Sequence, residues 1–86
     1  MIDTNKLREG LNKLTGHDFE FAEAMERAAG NAYPIINFSR SFQARLAASA
    51  LDMNVHDIKN LPLKEYTALT NEVSNFLSST SDGETP

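Results

Sequence analysis

His56 lies four residues after Asp52 and one before Asp57, with Glu65 further on in the same stretch, "LDMNVHDIKNLPLKEY". These are the side chains of a zinc site or of general acid–base catalysis. A zinc site needs three or four ligands held at tetrahedral spacing. Asp52 and His56 would share a face only on an unbroken helix, and Asn54, followed by Asp57 at the third helical position, reads instead as a new helix start between them. The other histidine, His17, stands alone, and with no cysteine in the chain there is neither a thiolate ligand nor a thiol nucleophile. General acid–base catalysis needs carboxylates gathered in a pocket, and the acids here fall on the polar sides of the expected helices. No glycine-rich phosphate loop and no Ser–His–Asp order is present. The expectation is a protein without catalysis, metal or cofactor.

The elements that position these residues are helical. Leu7, Leu11 and Leu14 are spaced four and three apart, with Thr4 as an N-cap and Gly10 weakening the run by ~1 kcal/mol relative to alanine. This segment, residues 1–14, is a short helix or an arm. Thr15 and Asp18 form a capping-box-like start for a helix over 16–29, in which Phe21, Met25, Ala28 and Ala29, beside Ala22, make the apolar stripe. Gly30 stops it. Pro34 turns "NAYPIINF" into an extended apolar connector. Ser39 or Asn37 caps a helix over 39–52, lined by Phe42, Leu46, Ala47, Ala50 and Leu51. A short helix starts at Asn54 and turns Val55, Ile58 and Leu61 inward. Pro62 opens the last helix, over 63–78, with its stripe of Tyr66, Leu69, Val73, Phe76 and Leu77. The fold class is all-α: a small bundle or orthogonal array of three main helices plus a short one over residues 15–77. Residues 78–86, "SSTSDGETP", lack any large apolar side chain and read as a disordered tail.

Bulk properties bound the function further. The foldable part buries only ~60% of its unfolded surface, so a partner or a homo-oligomer would help it. No secretory signal or membrane-spanning run is expected. Twelve acids against eight scattered bases give a formal net charge of −4, which argues against nucleic acid as the main ligand. "FQARLAASALDMNVHDIKNL" does have the cadence of a helix-turn-helix. Its second helix would offer His56, Asp57, Lys59 and Asn60, a poor recognition face, and a DNA-binding regulator remains the alternative alongside a generic interaction module. A domain this small cannot hide all seven aromatics. Phe19, Tyr33, Phe38 and Phe42 are the candidates for an exposed apolar patch that marks a protein partner.

"LTGHDFEFAEAMERAAG" followed by "FQARLAASALDMNVHDIKNLPLKEYTALTNEVSNFL" resembles the tail assembly chaperones of long-tailed bacteriophages. The likeness rests on the Leu14, Thr15 and Asp18 helix entry, the Ala/Glu-rich helix ending in Ala-Ala-Gly and the alanine-rich helix after it. The Asp57, Ile58 and Leu61 turn and the final Tyr66, Leu69, Val73, Phe76 and Leu77 pattern complete it. It spans residues 14–77. Pro62 stands where the family often has a capping acid, and the family's N-terminal strand is absent or very short here. The resemblance implies a non-enzymatic protein of the host bacterial cytoplasm, absent from the finished virion. It would bind the tape measure protein, help recruit tail tube subunits, and sometimes coexist with a longer frameshifted form of itself. On this reading the partner groove is formed by Phe38, Phe42, Arg45 and Tyr66, with Phe19 and Tyr33 nearby.

Overall fold

The computed structural model describes residues 3–83, with side chains described as far as Ser78. Five α-helices follow in order: α1 (Thr4–Lys13), α2 (Gly16–Ala28), α3 (Arg40–Leu51), α4 (Val55–Lys59) and α5 (Leu63–Gly83). A single 3-10 turn, Ile36–Phe38, lies in the connector between α2 and α3, and there is no strand among the described residues. The protein is an all-α bundle.

Local chemistry sets most of the helix boundaries. Thr15 and Asp18 form the full capping box: the Asp18 carboxylate accepts the Thr15 N–H at 2.8 Å, and the Asp18 N–H donates back to the Thr15 hydroxyl. Ser39 caps α3 by accepting the Phe42 N–H, and Asn54 caps α4 by accepting the His56 N–H. The Pro62 carbonyl receives the Tyr66 N–H at the start of α5. Gly30, with φ +97°, takes the left-handed conformation that ends α2. The cap of α1 is Asp3 rather than Thr4, because the longer-reaching carboxylate collects the N–H groups of both Asn5 and Lys6. Residues 1–14 thus contain a formed helix. At the other end α5 continues to Gly83, past the expected end at 78. The run 79–83 has no proline to stop it, and the rest of the expected tail, 84–86, lies outside the described residues.

α3 is the central element. It buries Phe42, Gln43, Ala44, Leu46, Ala47 and Ala48, nearly its whole circumference, under α1, α2, α4 and α5. Its alanines let those neighbours approach. α1 contributes Leu7 and Leu11 to the core, α4 contributes Ile58, and α5 contributes Leu69 and Val73. Tyr66, Phe76, Leu77, Val55 and Leu61 pack around the edge, as their spacing predicts.

α2 departs from expectation. Its buried residues are Ala22 and Glu26, while Phe21, Met25, Ala28 and Ala29 face outward. The reason is a buried ion pair. Glu26, 2% exposed, meets Arg45 of α3 at 2.7 Å, and this contact orients the helix. Phe19, about 160° from Phe21 at 100° per residue, is then carried inward. Its ring meets Phe42 edge-on, with centroids 4.9 Å apart.

Candidate functional site

Around Glu26 the chain builds a polar interior cluster. The Asn31 side chain donates at 2.8 Å both to Glu26 and to the hydroxyl of Ser39, which in turn caps α3. Outside this cluster, Arg27 donates to the carbonyls of Asn31 and Tyr33 at 3.0 and 2.7 Å. The connector is thereby pinned at both its start and its end. Burial pushes the Glu26 carboxyl up. Hydrogen bonds from Asn31, Arg45 and Ser41, with the charge of Arg45, outweigh that and hold it below the ordinary carboxylate value.

An open depression of about 450 Å3 lies over this cluster, lined by Asn31, Ser39, Ser41, Arg45 and Lys59 among others. Its charged groups are engaged with one another and with neighbouring side chains. A general acid or base is tuned toward neutral pH, whereas Glu26 is held ionised. No other acid lines the depression, and Lys59 is held by the Ser41 hydroxyl at 2.7 Å. Asp52, His56 and Asp57 are all exposed, and among the described residues no three His, Asp or Glu side chains converge as metal ligands would. A second hollow of about 420 Å3 lies between α1 and α5 over Leu7, Ala68 and Leu69, with the Arg8–Glu72 ion pair, 3.1 Å, linking its two helices.

The depressed Glu26 value has a consequence for stability. The unfolded chain takes up a proton on this group more readily than the folded one. The pair's contribution is therefore complete above the ordinary carboxylate pKa, near 4.5, and is lost as pH falls through it and below. We expect the urea midpoint to drop between pH 6 and pH 3. The drop should be shallower in a double variant, Glu26→Gln with Arg45→Met. Parallel pH profiles for the two proteins would remove Glu26 from the account.

The structure separates the six expected partner residues. Phe42 is fully buried and offers no surface, and Phe19 is half-buried against it. Arg45 is committed to Glu26. Tyr66 packs half-buried against the core, and burial raises its phenol above the ordinary value. Only Phe38, 61% exposed, and Tyr33 are open, both on the connector. The apolar surface that local spacing missed is elsewhere: Phe21 and Met25 on α2, Ile35 beside Tyr33, and Leu63 at the head of α5. The signal for α2 was the polar Glu26 one turn after Ala22, which marks a paired interior position only once Arg45 is placed opposite.

The α3–α4 corner keeps the outline of a helix-turn-helix, but Lys59, the only base on α4 besides His56, is turned to Ser41. No helix among the described residues is long and apolar enough to cross a membrane. Comparison of the chain with protein-family models, with curated proteins and with solved structures finds no match.

Proposed function

We propose that this protein is a tail assembly chaperone of a long-tailed phage, which binds the tape measure protein and helps gather tail tube subunits without catalysis. One observation carries the reading: large apolar side chains stand open on a domain whose core is already complete. On the connector, Tyr33, Ile35 and Phe38 are exposed beside a backbone fixed by Arg27 and Asn31. Such side chains, held out on a fixed backbone, suit transient burial against another protein.

The test is co-expression with the tape measure protein of the same tail gene cluster. The tape measure protein should be insoluble alone and soluble with the chaperone, and the two should co-purify. Phe38→Ser combined with Tyr33→Ser should reduce the captured fraction severalfold while leaving the helical spectrum and the melting temperature unchanged, since neither ring is in the core. If the tape measure protein's solubility is the same with and without this chain, the reading fails.

A further inference from the structure

α2 carries two apolar faces. One, with Phe19 and Ala22, is inside. On the other, Phe21 and Met25 are four apart with Ala24 and Ala28 between and beyond them, so the four form one outward stripe at helical spacing. Phe21 is 67% exposed and Met25 43%. A phenylalanine held open at mid-helix, with a methionine beside it, is an amphipathic face lacking its cover.

The surrounding charge says what covers it. Asp18 and Glu20 straddle Phe21 on the two edges of the stripe; no lysine or arginine stands beside them on that part of α2, where His17, one turn before Phe21, is the single imidazole. The one cation on the helix, Arg27, sits a full two turns beyond Glu20 and is engaged with Glu23 and with the carbonyls of Asn31 and Tyr33. An anionic lipid surface would meet carboxylates where interfacial helices carry lysine and arginine. A second copy of this chain, laid antiparallel, would have only that engaged Arg27 to set against Glu20.

We infer that the outward face of α2 docks a basic amphipathic helix of another protein. Its apolar side chains pack on Phe21, Ala24, Met25 and Ala28, and its Lys or Arg side chains face Asp18 and Glu20. The inference deepens the chaperone reading and rests on it for the helical form of the occupant.

Two labelled model helices with the same leucine stripe, one flanked by lysines and one by glutamates, test it by fluorescence anisotropy on the full chain. The lysine-flanked helix should bind and the glutamate-flanked one should not. Phe21→Ser with Met25→Ser should weaken binding roughly ten-fold or more, the scale of losing an interface hot spot. Glu20→Lys should weaken it too. All three substitutions are at exposed positions, so circular dichroism should be unchanged. Equal binding of the two peptides, or binding indifferent to Phe21 and Met25, overturns the inference. So does a Phe21-dependent dimer in sedimentation, or Phe21-dependent flotation on phosphatidylserine vesicles. Co-capture of the tape measure protein that survives Phe21→Ser and Met25→Ser would sink this face and leave the chaperone reading standing. Selective binding of the lysine-flanked helix without any such co-capture would do the reverse.

Discussion

Replacing Gly10 with alanine should destabilise the domain by about 2–5 kcal/mol, although alanine is the better helix former. On propensity alone the change gains ~1 kcal/mol. The structure places the position against α3: a Cβ built there collides with the carbonyl oxygen of Ala50 and comes within 2.7 Å of its carbonyl carbon. The obstacle is backbone, so no rotamer change relieves it, and α1 must move away. That movement lifts Leu7 and Leu11, the two core residues α1 contributes, each worth ~1.5–3 kcal/mol when fully buried. For a chain of 86 residues with a total stability of roughly 4–13 kcal/mol, this is a large fraction. Urea titration gives the number. Hydrogen exchange locates it, with α1 amides losing protection before those of α3. Gly16→Ala is the control, because its added methyl meets nothing within 4 Å and should be neutral or slightly stabilising. If Gly10→Ala proves as stable as the parent, α1 does not cross α3 at this distance.

Gly10 also shows where a sequence runs out of information. Read locally, it is a defect in a leucine-bearing helix; its purpose lies 40 residues away at Ala50. Features decided within a turn or two of chain were legible. Thr15 with Asp18, Ser39, Asn54 and Gly30 each bound a helix through contacts to their own neighbours, and the α5 stripe from Tyr66 to Leu77 faces the core as its period requires. The orientation of α2 was not legible. Its sequence offers two apolar arcs, and size favours the wrong one, Phe21 and Met25. What turns the helix is the Glu26–Arg45 pair, formed by residues 19 positions apart. The same turn explains why the expected partner groove dissolved. Carrying Phe19 inward packs it on Phe42, Arg45 is taken by Glu26, and the exposed apolar side chains lie on the opposite side of α2 and on the connector.

Phe42→Ala should cost about 3–5 kcal/mol, the range for emptying a fully buried aromatic position. Phe42 has no exposed surface, sits in the first turn of the central helix, and meets the Phe19 ring in an edge-type contact. Truncation leaves a void that a helix packed on four others cannot collapse, and it strips Phe19 of its contact, so α2 loses the aromatic part of its hold on α3. Phe42→Leu keeps most of the volume and should cost far less. A double-mutant cycle with Phe19→Ala should return a coupling of about 0.5–1.5 kcal/mol, the part specific to the aromatic pair. These values separate folding from binding at a position whose character the sequence left open. A partner contact would lose affinity and keep its unfolding midpoint, whereas a core residue shifts the midpoint and weakens binding only in proportion to the unfolded fraction. Should Phe42→Ala unfold within 1 kcal/mol of the parent, the ring is not packed as described, and the outward assignment of the Phe21 face falls with it, since Phe19 and Phe21 cannot both point to the core.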